Sequence, residues 1–422
     1  MLNIARTARR LREQLQGFLG KLPLSKTAQR FVFEAVYGIQ ARQSLHLSEI
    51  ARTLEESIPL IKTVNRLSRQ AAREGLADDL NRFVMKQGAV RIEKRTLLVI
   101  DPSDLTKKYA RKMEHLARVR DGSTGAISDG YWMCQVIGVE CGGHEITPLA
   151  SSLWSQNAPD FKSENDEILG LVDAVSSATE KRGVWVMDRG GDRVKILRPL
   201  LDRNLDFLIR LCGNRHLKWG RKKLLARDLA ARCPLPYAES IKRLNCDGTE
   251  SVHLIQFGYR KVRLPASQRD LWLLVVDGFG SERLMALTTL PLRKDRKTLW
   301  WAVEAYLTRW RIEETIRFSK QAYGIEDVRV LRYESLKNMV ALALVASYFS
   351  MAYLGARAKV SVLCHHAIRA GKRLFGVPNF RYYTIADGIR DIFSRSHVRP
   401  FSKAPPGSTQ TAQLNLLDLI DT

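Results

Sequence analysis

Two short apolar runs, "TLLVI" at 96–100 and "VWVM" at 184–187, each end on a carboxylate, Asp101 and Asp188. Compact, partly β-branched runs bounded by Pro or Gly read as buried strands, because helices need about ten residues or more to show their period. Each Asp then stands at a strand tip. Between the two runs, "YWMCQVIGVECGGHEITPLASSLW" breaks at Gly-Gly and predicts a hairpin that extends the same sheet, followed by a helix over 163–181. From 206 to 292 the texture turns to β, with "DFLIRLCG", "SVHLIQFGYRKVRL", "DLWLLVVDGFG" and "RLMALTTLPL" separated by turn residues. That stretch is too long for a simple strand, helix, strand continuation, so most of it reads as an inserted β subdomain.

Beyond it lies "YLTRWRIEETIRFSK", 306–320, with no Gly or Pro to break a helix. At about 100° per residue, Tyr306, Arg309, Glu313 and Lys320 fall on one stripe roughly 60° wide, with Arg317 and Trp310 on its flank. Ala305, Ile312 and Ile316 form the adjacent packing side. Glu313 paired with Arg309 and Arg317 also fits an ordinary solvated helix face.

The net charge of +24 over 422 residues points to a polyanionic partner, nucleic acid before an acidic membrane surface. No membrane span is expected: the apolar run "MVALALVASYFSMAYLGA" from Met339 is interrupted by Ser and Tyr and reads as a buried helix. The N-terminus lacks a signal-peptide apolar core, which predicts an intracellular, cytoplasmic chain. Six cysteines form no CxxC pair and the histidines are scattered apart from His365 and His366, so reduced thiols and no His or Cys metal centre are expected.

Residues 1–92 read as helical, with Lys and Arg outnumbering Asp and Glu two to one. Within them, 47–69 shows a short helix with Ile50, Ala51 and Leu54 inward, a polar break, and a second helix with Lys62, Asn65, Arg66 and Arg69 outward. This pattern suits a DNA-binding helix-turn-helix with a long turn, and also a plain helical bundle. The resulting map is a helical DNA-binding domain at 1–92, a first core part at 93–205, a β-rich insertion at 206–292 and a second core part at 293–330. A helical C-terminal region at 331–395 and a linker and tail at 396–422 complete it.

Two Asp-tipped strands and a helix that presents Glu313 from a cationic stripe are the parts of a two-metal phosphoryl-transfer site. Clustered carboxylates drive up one another's pKa unless a divalent cation neutralises them, and Mg²⁺ suits one or two carboxylates plus substrate phosphate. Arg309, Arg317 and Lys320 then sit along DNA phosphates. Asp104 and Asp192 are alternative carboxylates, although Asp192 is placed as a helix N-cap. Trp310 has a packing reading, and Tyr306 one in which its hydroxyl orients Glu313 or a phosphate.

The spacing Tyr306, Arg309, Glu313, Lys320 resembles the Y-R-E-K signature of the bacterial insertion-sequence transposases of family four, within the DDE superfamily. "LLVIDPSD" and "VWVMDRGGD" are similar to that family's two Asp-bearing strands, and the resemblance covers roughly 96–353. It implies an α/β, RNase H-like mixed-sheet core interrupted by a β-rich insertion, with helical N- and C-terminal regions. It also implies two Mg²⁺, with Mn²⁺ able to substitute, on Asp101, Asp188 and Glu313. The implied activity is binding to terminal inverted repeats, cleavage of double-stranded DNA and joining of 3′ ends to target DNA, through hairpin ends in studied members. Trp310 follows Arg309 as in those members; Trp272, Trp300 and Trp301 are loose candidates for a second aromatic that holds a flipped base. The expected partners are transposon-end and target DNA and a second copy of the chain in the DNA complex. Alternative readings are a related nuclease or recombinase without integration, and a non-catalytic DNA-binding descendant.

Overall fold

The computed structural model describes residues 4–122, 124–244, 250–265, 267–354 and 381–396. The tail at 397–422, His365, His366 and part of the C-terminal helical region lie outside the described residues. Five helices open the chain: α1 (Ile4–Leu19), α2 (Lys26–Arg42), α3 (Leu47–Leu54), α4 (Leu60–Ala71) and α5 (Leu76–Ala89). The expected pair at 47–69 is α3 and α4, with Ile50, Ala51 and Leu54 buried. Glu55 ends α3 in the left-handed region at φ 46°.

The strands are β1 (Leu97–Thr106), β2 (Ala117–Arg120), β3 (Ile127–Val139) and β4 (Ile146–Trp154), then after α6 (Glu164–Ala178) comes β5 (Val184–Met187). α7 (Val194–Asp202) leads to β6 (Asp206–Arg210), a small hairpin of β7 (His216–Trp219) and β8 (Lys222–Leu225), and α8 (Ala226–Ala231). β9 (Tyr237–Leu244), β10 (Glu250–Val262), β11 (Leu271–Asp277) and β12 (Leu284–Thr288) follow. One ten-stranded sheet runs β2-β3-β1-β5-β6-β12-β11-β10-β9, with β4 also on β3. Its centre is RNase H-like: antiparallel β4, β3 and β1, then parallel β5 and β6. The β-rich stretch is not walled off, because β12 pairs with β6 and carries β11, β10 and β9 outward from the core sheet.

Both faces of the sheet are covered, which explains the uninterrupted apolar runs. Along β1, Leu97 and Val99 join one core while Leu98 and Ile100 join the other; along β5, Val184 and Val186 alternate with Trp185 and Met187 in the same way. The second core is closed by Ile168 and Val172 of α6 and Ile196, Leu197 and Leu200 of α7. The first is closed by α9 (Arg296–Thr308), α10 (Trp310–Ala322), α11 (Tyr333–Tyr348) and the N-terminal helices. α12 (Tyr382–Ser396) joins that helical layer.

Two local expectations change. β1 does not stop at Ile100 but continues through Asp101 and Pro102 to Thr106, paired to β3 throughout. Its pairing with β5 covers only Leu97 to Val99, so Pro102 lies where β1 has an open side and its missing N–H costs little. The 306–320 segment is not one helix: α9 ends at Thr308 and α10 begins at Trp310, with Arg309 between them.

The N- and C-terminal helices share one core. Phe18 stacks on Tyr348 at 5.6 Å, Tyr37 meets Phe393 at 4.7 Å, and Gln40 donates to the Ala346 carbonyl at 2.8 Å. Among the described residues, one segment, Tyr333–Tyr353, is long and apolar enough to cross a membrane, and 94% of its most apolar window is buried inside the protein. It is a core helix.

Gly38 of α2 lets α3 approach, since a Cβ there would lie 2.8 Å from Ile50 Cγ2 and 3.0 Å from its Cα. Gly38→Ala is expected to push α3 off α2 and cost about 1–3 kcal/mol, read as a lower midpoint in urea unfolding; an unchanged midpoint would show that the two helices separate freely.

Candidate active site

β1 and β5 pair in parallel as Leu97 with Val184, Leu98 with Trp185 and Val99 with Val186. Asp101 and Asp188 each lie two residues beyond the last pair. A strand alternates faces at every residue, so both carboxylates point to the face of Val99 and Val186, which α10 covers. Asp188 is fixed by its own turn, accepting from Gly190 N at 2.7 Å. A Cβ on Gly190 would lie 2.9 Å from that carboxylate oxygen, so "DRGG" needs a glycine here.

Glu313 comes from the first turn of α10, where the helix's positive end favours a carboxylate. Arg309, just before the helix, donates to Glu313 Oε1 at 2.6 Å and stands 3.9 Å from Asp101 Oδ2. Its side chain is only 10% exposed, and the guanidinium lies 5.8 Å from the Tyr306 ring centre. Tyr306 is buried, and its hydroxyl accepts from Arg210 Nη1 at 3.5 Å. The structure therefore gathers Asp101, Asp188, Glu313, Arg309 and Tyr306. Burial first, then the neighbouring Asp188, pushes the Asp101 carboxyl up to about 7, with Arg309 opposing and Glu313 adding to the rise.

The other anticipated residues divide. Arg317 is exposed and lines a cleft of about 1030 Å³ that also holds Asp101, Glu313 and Lys320. Lys320 is engaged, with Nζ at 3.2 Å from Asp104 and 3.0 Å from Glu326. Asp104 is buried and also accepts from Gly122 N at 3.1 Å, so it anchors Lys320 and the 121–122 turn. Asp192 is not a helix N-cap; Arg193 holds that position, and Asp192 pairs with Arg215 and accepts from Cys212 N at 2.8 Å. Trp310 is 54% exposed. Trp272, Trp300 and Trp301 are packing residues, Trp300 against Phe257 at 5.9 Å and Trp301 beneath Arg95 at 5.4 Å. Lys62, Asn65 and Arg69, on α4 and outside the cleft lining, are exposed, whereas Arg66 pairs with Glu34 at 2.6 Å and Glu56 at 3.0 Å.

Sequence reasoning missed Arg210 and Lys107. β6 pairs with β5 as Met187 with Ile209, so Arg210 lies beside Asp188, and the clue was an Arg closing an apolar strand. Lys107 buries its ammonium on the carbonyls of Ile325, Glu326 and Val328, tying β1 to the turn after α10.

The donor set suits a divalent cation. Asp188 and Glu313 both act on Asp101, which is pushed far above its ordinary range, and the Arg309 guanidinium supplies positive charge between Asp101 and Glu313. Among the described residues no group of three His, Cys, Asp or Glu side chains is placed to hold a metal ion.

Residues 93–349 match the family model of the transposase DDE domain, and the chain belongs to that family. It is therefore a transposase of DNA recombination, in a family that implies a nuclease/transferase enzyme and generally uses divalent metal ions. Among solved structures, the chain is similar to piggyBac transposase in a cryo-EM synaptic complex with hairpin DNA, at 9% identity and a TM-score of 0.40, over 92% of this chain and 78% of that one. No curated protein matches the chain.

Because Asp101 holds its proton more tightly folded than unfolded, the stability it confers is full below about pH 4 and is lost as pH rises through about 7. Asp101→Asn is accordingly expected to be more stable than wild type at pH 8 in EDTA, by on the order of a few kcal/mol, with the difference vanishing toward pH 4. Urea titrations at both pH values check this; an equal difference at both would remove Asp101 as the titrating group.

Proposed function

We propose that the chain is a cut-and-paste transposase of insertion-sequence family four, which binds terminal inverted repeats, cleaves them and joins the freed 3′ ends to target DNA. The observation that carries this reading is the convergence of Asp101 and Asp188, side by side on one face of the sheet, with Glu313 across from them on α10. Asp101, Asp188 and Glu313 would hold two Mg²⁺, or Mn²⁺ in their place, and bound metal supplies activation of the attacking oxygen and charge stabilisation of the leaving one.

The chain's own residues do the positioning. Arg309, free to exchange its carboxylate partners for a phosphate, orients the scissile group, and bidentate donors of this kind suit phosphate oxygens. Arg317 contributes charge along the open wall of the cleft. Lys320, held between Asp104 and Glu326, faces the strand that enters. Tyr306 braces Arg309 from below. In the first step water displaces the 3′ oxygen from phosphorus; in the last, that 3′-hydroxyl attacks a target phosphate and expels another 3′ oxygen. Trp310 offers an open ring to an unpaired base if ends pass through a hairpin. α3 and α4 serve as the helix-turn-helix that recognises duplex ends, and two copies act together on paired ends in the bacterial nucleoid.

Asp101→Asn, Asp188→Asn and Glu313→Gln are each expected to abolish Mg²⁺-dependent cleavage of inverted-repeat DNA while gel-shift binding persists, because each removes a ligand without adding negative charge. Arg309→Ala should slow cleavage by on the order of a hundredfold with binding retained. Substantial cleavage by any carboxylate variant would remove that residue from the catalytic set, and cleavage without joined product would assign the chain to nucleases that do not integrate.

A further inference from the structure

The outward face of α4 is unusual in what it exposes. Thr63, Leu67 and Ala71 are buried, and at about 100° per residue Ile61, Asn65 and Ser68 fall on the far side in a band roughly 60° wide, with Arg69 and Lys62 together along one edge of it. All five are exposed. Ile61 is 63% exposed, next to Leu60 at 40% and Ile58 at 44%, an aliphatic group left open among the described residues. The helix "LIKTVNRLSRQA" contains no Asp or Glu.

The rotation of this helix about its axis is fixed. Arg66, on its flank, bonds both Glu34, which is fully buried on α2, and Glu56; Glu56 also accepts from Thr63 at 2.7 Å, and Arg30 bonds both glutamates. Arg66 is thus occupied in setting the direction in which Asn65 projects. A convex helix with cations along one edge and no Asp or Glu of its own is complementary to the major groove of duplex DNA, which admits an α-helix and where that edge would meet one phosphate row. In that groove an Asn amide matches the N6 and N7 edge of adenine, and an aliphatic side chain matches the thymine methyl. A second copy of the chain has no such claim on Lys62 and Arg69, which lie beside the aliphatic cluster.

We propose that α4 reads A·T pairs at the transposon end, with Asn65 paired to an adenine and Ile61 packed on a thymine methyl one helical turn nearer the helix start. This rests on the reading that α3 and α4 bind duplex ends, and it adds the bases they select.

The test is enrichment of a randomised duplex pool by the full chain in EDTA, where binding is read without cleavage. Wild type should enrich a motif with a fixed adenine and a fixed thymine. Asn65→Ala should lose the adenine while its affinity for the unselected pool changes little, and Asn65→Gln should retain it. Replacing that adenine with 7-deazaadenine should weaken wild type about tenfold or more and leave Asn65→Ala indifferent. Replacing the thymine with uracil should weaken wild type but not Ile61→Ala. An identical motif from Asn65→Ala, or equal analogue penalties in wild type and variants, would overturn the assignment. So would unchanged base preference in Ile61→Ala accompanied by loss of a dimer in sedimentation, which would give the patch to a second copy. Each of these outcomes leaves the cleavage reading standing, since that reading falls only if the carboxylate variants still cut.

Discussion

The parallel register of β1 on β5 is the constraint from which the rest follows. It places two acidic residues, 87 positions apart in the chain (188 minus 101), on adjacent strands with the same facing. A slip of one residue would send one carboxylate to the opposite core, among Trp185 and Met187. Helices on both faces make that slip expensive, because each strand is apolar on both sides. The sheet's hydrophobic cover therefore sets the position of its most polar atoms. Where β5 stops and β1 runs on paired to β3 alone, the sheet opens into the cleft.

Charge organises what the sheet brings together. Asp101 is partly screened from water and flanked by Asp188 and Glu313, and Arg309 answers that charge at short range. An arginine in this place holds the carboxylates in position without the large desolvation cost of leaving three anions unpaired. Its backbone forms the joint between α9 and α10, so its side chain points back over Tyr306 rather than along the surface. The charged stripe anticipated from helical periodicity is in fact two helices whose junction buries its central cation.

Local signals were legible and distant ones were not. The apolar runs and their terminal aspartates could be read because buried strands and tips are matters of a few neighbouring residues, and the spacing from Tyr306 to Lys320 is equally local. Arg66 looked like an outward cation because Glu34 is 32 residues away and on another helix. Lys320 looked free because its partner Asp104 is 216 residues distant. The β-rich stretch looked like a separate unit because nothing near Leu208 announces that Thr288 will pair with it. Asp192 followed a strand and preceded a helix, which fits a cap, but Arg215 and Cys212 claim it from beyond β6.

The shared core of the first and last helices has a bearing on biosynthesis. Phe18 and Tyr37 emerge from the ribosome hundreds of residues before Tyr348 and Phe393, the rings they pack against. At about 5–20 residues per second, the apolar sides of α1 and α2 wait roughly a quarter of a minute or more for their cover. Through that interval the nascent chain carries an exposed greasy surface beside a strongly basic one, a combination suited to chaperone capture. Completion of the amino-terminal layer is thus timed by the arrival of the carboxy-terminal helices, and a prematurely terminated product is left without the support on which α2, α3 and α4 rest.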